Sequence, residues 1–127
     1  MYIDDKGCHV NDFINVDTKV SSLTTVDKCW GKEYLLDVTE KYAMKRLAID
    51  AGKNISLQFH KNKRETWHIV SGTGIARVDG KEFQVIPGTT VSIPVNVIHQ
   101  VKAITDLIII ESSTTELDDI VRIKEEF

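Results

Sequence analysis

The chain has 127 residues, of which 42% are hydrophobic and 28% charged, with a net charge of −3. That size admits a single core and no second domain, and the composition is globular rather than disordered or fibrous. The mild acidity excludes a general attraction to nucleic acid or anionic membrane, and the longest apolar run, Leu107 to Ile110, is too short to cross a bilayer.

In chain order, the opening Met1 to Lys6 has neither the positive nor the apolar stretch of a secretory signal, so a cytoplasmic protein is expected. Residues 1–29 alternate weakly and hold few strong strand formers. They are expected to add one or two edge strands or to stay loose, with residues 30–127 forming the domain. Cys8 and Cys29 are too few for a disulfide framework and lack metal-motif spacing. From Tyr34 onward, turn signals recur every 8 to 12 residues, the mark of an all-β sandwich or barrel. Predicted strands are Met44 to Ile49, Ile55 to His60, Thr66 to Ser71, Gly74 to Val78, Lys81 to Val85, Thr90 to Ile93, His99 to Ile104 and Leu107 to Ser112. Asp79-Gly80 suits a two-residue hairpin and Pro87-Gly88 a type II turn. The tail from Glu116 to Phe127 suits a short helix or a final strand.

Residues two apart on a strand share a face about 6.8 Å apart. Gln58 and His60 can therefore lean toward one ion while Leu57 and Phe59 face the other way. Glu65 follows the basic loop Lys61-Asn62-Lys63-Arg64 and opens the next strand, and His99 opens a later one. In a closed barrel these strand ends can converge in one mouth. Two imidazoles, a carboxylate and an amide oxygen suit one divalent ion, with zinc the first expectation and manganese, iron, cobalt or nickel also compatible. His68, three residues beyond Glu65, belongs on the opposite face. Trp67 shares the face of Glu65 and reads either as a wall of the core or as a platform for substrate.

Gly52, five residues, Gln58-x-His60, four residues, Glu65, six residues and Gly72 together resemble the first motif of the cupin superfamily, with glutamine in place of its first histidine. Gly88, five residues, Pro94-x-Asn96-x-x-His99 is similar to the second motif. Asn96 stands there for an inner glycine, and asparagine tolerates positive φ. The flanks Trp30-Gly31-Lys32-Glu33-Tyr34, Glu65-Thr66-Trp67, Val70-Ser71-Gly72-Thr73 and Asp118-Asp119-Ile120-Val121-Arg122 look like the cupin domain of type II mannose-6-phosphate isomerases, over residues 30 to 124. The histidine-rich stretch of those relatives is reduced here to His60, followed by Lys61 and Asn62, and Thr66 stands where they often have histidine. In many of them the domain follows a mannose-1-phosphate guanylyltransferase domain. These 127 residues leave no room for one, so nucleotidyl transfer is not expected of them.

The resemblance implies an all-β, cupin-type double-stranded β-helix, a jelly-roll barrel. It also implies a metal-dependent aldose–ketose isomerase of a sugar phosphate, converting mannose 6-phosphate to fructose 6-phosphate. That reaction moves a proton between neighbouring carbons through an enediol, whose developing charge a divalent ion stabilises. Lys63, two positions before Glu65, is the candidate catalytic cation. Arg64, Trp67 and whichever of Lys45 and Arg46 faces inward are candidates for substrate binding. The base is not identified. Two other readings stay open: a mononuclear non-haem iron oxygenase, which also uses two histidines and a carboxylate, and a non-catalytic sugar or sugar-nucleotide binding module, since one architecture hosts many activities. A homodimer is expected, because Leu57, Phe59 and Ile98 present a second apolar surface that needs a cover.

Overall fold

A computed structural model describes residues 24–123. Every regular element among them is a strand: β1 (Thr24–Lys28), β2 (Gly31–Val38), β3 (Ala43–Ile49), β4 (Gln58–Phe59), β5 (Glu65–Ser71), β6 (Gly74–Val78), β7 (Lys81–Val85), β8 (Thr90–Ile93), β9 (His99–Ala103), β10 (Leu107–Ser113) and β11 (Val121–Arg122). They form two antiparallel sheets, ordered β1-β2-β3-β10-β5-β8 and β11-β4-β9-β6-β7. From β3 onward the chain passes repeatedly from one sheet to the other, so the two inner faces enclose one interior. This is the expected jelly roll.

The turns follow their chemistry. Asp79 and Gly80, at φ 53° and 76°, join β6 to β7 in a two-residue hairpin that requires positive φ at both positions. Gly88 lies at φ 92° after Pro87, and Thr89 N–H closes the turn onto the Ile86 carbonyl at 3.0 Å. Asn96 adopts φ 63°, the conformation for which glycine is otherwise used.

β1 is an edge strand of the kind allowed for residues 1–29, whereas β2 is not among the expected strands. β1 is almost wholly exposed at the edge of the larger sheet, and β2 carries mixed burial, so neither has the inside–outside contrast that alternation needs. The rest of segment 1–29, up to residue 23, lies outside the described residues. In the tail, Val121–Arg122 forms the final strand, against β4.

The expected strand Ile55 to His60 shrinks to Gln58–Phe59, for a reason that matters to the site. Asn54 bridges Lys102 of β9, whereas Gln58 pairs with His99, so the segment holds one residue more than its partner between these two points. An extra residue inverts the alternation. Ile55 is therefore buried in the core, while Gln58 and His60, of opposite parity, are buried too.

Inward positions divide the interior along its length. Leu47 and Ile49 of β3, Trp67 and Ile69 of β5, Val101 and Ala103 of β9, and Leu107 and Ile109 of β10 pack into an apolar core. The same faces continue at the other end with Lys45, Glu65, His99 and Glu111. Hydrophobic burial closes one half and leaves charge in the other.

Candidate metal centre

Three elements bring His60, Glu65 and His99 together. His60 follows β4, Glu65 opens β5 and His99 opens β9, placed beside β4 by its pairing with Gln58. One donor atom from each of the three lies within 4.8 Å of the others. His99 Nε2 is 2.9 Å from Glu65 Oε1, and His60 Nε2 is 3.5 Å from Glu65 Oε2. All three side chains are buried.

The hydrogen bonds around the cluster fix what faces its centre. His60 Nδ1 bonds to the Asp119 carbonyl and His99 Nδ1 to the Val97 carbonyl, at 2.8 Å in the second case. A carbonyl only accepts, so Nδ1 carries the proton in both rings and each neutral Nε2 presents a lone pair. Both Nε2 atoms and both Glu65 oxygens are buried without a hydrogen-bond partner. Four acceptors thus converge; the Lys63 ammonium faces Glu65 Oε2 at 3.2 Å, and the other three are costly to bury unless a further cation lies among them or the rings take up protons. Two imidazole nitrogens with Nδ1–H anchored on carbonyls, plus a carboxylate, fit a divalent transition ion. Gln58 is buried next to His99, with Oε1 accepting from Ser56 Oγ at 3.0 Å, and offers an amide oxygen as a fourth donor.

The charges nearby are coupled. Lys63 Nζ lies 3.2 Å from Glu65 Oε2 and 3.6 Å from Glu111 Oε2, with all three groups buried. Burial opposes the Lys63 charge, but Glu111 and Glu65 outweigh it and raise its pKa. Burial likewise works against the Glu65 carboxylate, yet in the metal-free protein with the imidazole Nε2 atoms protonated, hydrogen bonds from His60 and His99 together with the Lys63 charge hold it far below the usual range. Glu111 is pushed up to about 7 by burial and by the Glu65 charge, against the pull of Lys63 and Lys45. Burial disfavours the His60 cation, and Glu65 more than compensates, so its pKa is raised.

A cavity of about 760 Å³ borders the cluster between the two sheets. The candidate residues Lys45, Gln58, His60 and Lys63 line it, together with Glu111, whereas Arg46, Arg64 and Trp67 do not. Strand alternation selects Lys45 and turns Arg46 outward, where its guanidinium lies 4.9 Å from the centroid of the Tyr34 ring. Arg64 is exposed. Trp67 is fully buried in the core and meets the His99 ring edge-on at 5.5 Å, so it is a wall behind a ligand candidate. His68 is exposed, as its parity requires. Leu57 and Phe59 are half-buried, and Ile98 is 43% exposed on the outer surface. Glu111 was not singled out from the sequence. Its signal was present: alternation in Leu107, Ile109, Glu111 aims one carboxylate into an otherwise apolar inner face.

Residues 15–125 match the family described as Mannose-6-phosphate isomerase C-terminal. Mannose-1-phosphate guanylyltransferase ManC of Salmonella typhimurium is 31% identical over 103 residues, which cover 77% of this chain and 22% of the relative. A putative mannose-1-phosphate guanylyltransferase of Vibrio cholerae is 33% identical over 101 residues, or 76% of this chain and 22% of the relative. The chain thus spans about a fifth of the length of these curated relatives. Among solved structures, an RmlC-like cupin from Shewanella frigidimarina superimposes with a TM-score of 0.69 at 18% identity, covering 76% of this chain and 86% of that one. Bacillus subtilis oxalate decarboxylase, described with Mn(II) centres, gives 0.69 at 22% identity, covering 78% of this chain and 29% of that one. With the jelly roll, both cupin motifs and the match over residues 15–125, the chain belongs to the Mannose-6-phosphate isomerase C-terminal family of cupins.

Proposed function

We propose that this protein is a metal-dependent aldose–ketose isomerase acting on a sugar phosphate, with mannose 6-phosphate and fructose 6-phosphate as the substrate pair. The observation that carries this reading is the buried cluster of converging acceptors bordering a cavity into which a lysine and a second carboxylate also face. His60, Glu65 and His99 would hold the ion, with Gln58 as fourth donor. Zinc is the first candidate, and manganese, iron, cobalt and nickel suit the same donors. Such an ion supplies Lewis-acid stabilisation of the charge that develops on the sugar's carbonyl and hydroxyl oxygens.

The chain's own groups supply the rest. Lys63, held between Glu65 and Glu111, presents fixed positive charge at the cavity wall and can donate to a developing oxyanion. Of the cavity carboxylates outside the proposed ligand set, Glu111 is the buried one, held through Lys63 beside Glu65, and it is the group we assign to carry a proton between adjacent carbons. The family description supports the substrate class. The relatives named as guanylyltransferases extend far beyond the matched region, and nucleotidyl transfer is not carried over to this chain.

The test is elemental analysis of purified protein, chelator stripping and metal restoration, followed by anaerobic isomerisation assays on mannose 6-phosphate and other hexose phosphates. Turnover that is lost on stripping and regained on restoration is expected. Full metal occupancy without isomerisation of any hexose phosphate would overturn the reading. Oxygen consumption by the iron form would favour the oxygenase instead.

A further inference from the structure

The cavity is lined by four lysine and arginine side chains among the described residues: Lys28, Lys45, Lys63 and Arg122. Three are already matched by carboxylates. Lys45 Nζ lies 2.8 Å from Glu33 Oε1, Lys28 Nζ 3.7 Å from Glu33 Oε2, and Lys63 is held by Glu65 and Glu111. Arg122 has no carboxylate partner among the described residues. Glu33 serves both Lys45 and Lys28, and Asp118 also lines the cavity, so what sets Arg122 apart is that its guanidinium forms no ion pair among the described residues.

Sheet register shows where that charge points. Arg122 of β11 pairs with Gln58 of β4, which pairs with His99 of β9. Residues directly opposite across a sheet project to the same face. Gln58 and His99 point into the interior, so Arg122 does as well, and it borders the cavity. Two strand spacings separate the Arg122 and His99 backbones, about 10 Å. An open-chain hexose covers such a span between its carbonyl end and a phosphate on its last carbon.

We propose that Arg122 is the phosphate anchor of this site, and that the cavity selects sugars carrying phosphate at the end of the chain remote from the carbonyl. This deepens the isomerase reading and rests on it for the identity of the sugar. A guanidinium fork matches a phosphate dianion with two parallel N–H donors, which a lysine already engaged by carboxylates does not. Lys28, at the longer of its group's ion-pair distances, is placed to add a second positive charge.

Arg122 is exposed and its side chain packs in no core cluster, so Arg122→Met should fold and keep its metal. The experiment is calorimetric titration of metal-loaded wild type, Arg122→Met and Arg122→Lys with mannose 6-phosphate, mannose and inorganic phosphate. Wild type should prefer the phosphorylated sugar. Arg122→Met should lose about 10- to 150-fold in affinity for mannose 6-phosphate, as expected for one charge-assisted contact, with mannose unaffected. Arg122→Lys should recover part of the loss. An unchanged preference in Arg122→Met, or no preference in wild type, would overturn the assignment. Turnover in the same samples separates the two readings. Arg122-dependent binding without isomerisation keeps the anchor and removes the isomerase, and isomerisation with Arg122-independent binding does the reverse.

Discussion

The main-chain carbonyl of Asp119 accepts the hydrogen bond from His60 Nδ1, while the carboxylate of Asp119 accepts from the backbone N–H groups of Lys61, Asn62 and Lys63. Those three donors hold the Asp119 carboxyl below its ordinary pKa. One residue of the C-terminal segment thus fixes the tautomer of a proposed ligand and the loop that carries Lys63 inward. Asp119→Ala strands three backbone donors and lets that loop relax, with a loss of metal affinity of about 10- to 100-fold. Asp119→Asn retains an acceptor oxygen and should lose less. Competition with a chromophoric chelator measures both, and equal affinities in all three proteins would refute the positioning role.

The converging acceptors predict how ligand variants divide. His60→Ala and His99→Ala should each lose most bound metal in elemental analysis while keeping the β-sheet circular dichroism of wild type. Trp67→Phe removes no donor and should keep its metal. Metal content equal to wild type in both histidine variants would place the ion elsewhere.

Protons and metal compete for His60, and its raised pKa sets the sign. In the metal-free protein the ring keeps its proton to a higher pH than an ordinary histidine. Binding an ion must displace that proton, so apparent affinity should rise with pH through the region above about 6.5 and then level off. Titrations at a series of pH values, with proton release measured in parallel, check this. A flat profile would show that His60 is not displaced.

Lys63 and Glu111 should separate holding the ion from using it. Glu111→Gln should keep its metal and lower kcat by about 10²- to 10⁴-fold if the carboxyl moves the proton. Lys63→Met should also keep its metal. A raised KM with unchanged kcat would mark ground-state binding, and a lowered kcat would mark a role on the developing oxyanion. Removing Lys63 from the metal-loaded protein leaves the buried Glu111 carboxylate without its cation, a change of up to about 3–5 kcal/mol in stability, so assays belong well below the melting temperature. The double variant with Glu111→Gln should recover part of that loss. Wild-type kinetics in both single variants would remove the pair from the reaction.

Spacing and turn chemistry made much of this legible. Asp79-Gly80 and Pro87-Gly88 form the turns their residues demand, and the first residues of β5 and β9, Glu65 and His99, meet as two strand ends of one barrel. Alternation failed where burial gave it no contrast, in edge strand β1 and in β2. It also failed between Ile55 and Gln58, where an added residue changes which parity faces inward. Cavity residues drawn from distant parts of the chain escaped for another reason. Glu111 and Arg122 acquire meaning only from their partners across the sheet, Lys45 and Gln58, and no local pattern encodes such pairing.

Glu65 belongs to the six-stranded sheet, whereas His99 belongs to the five-stranded one and His60 continues from it. An ion held by all three would rivet the two sheets together at the end of the sandwich that lacks an apolar core. β4 contributes only two residues of ladder there, so this is where the walls are least secured by backbone pairing. At free metal about 100-fold above Kd the rivet adds about 2.7 kcal/mol, because the ion binds the folded chain and not the unfolded one. The charged half of the interior, which gives up hydrophobic burial to keep its chemistry, would recover mechanical strength from the ion that the chemistry requires.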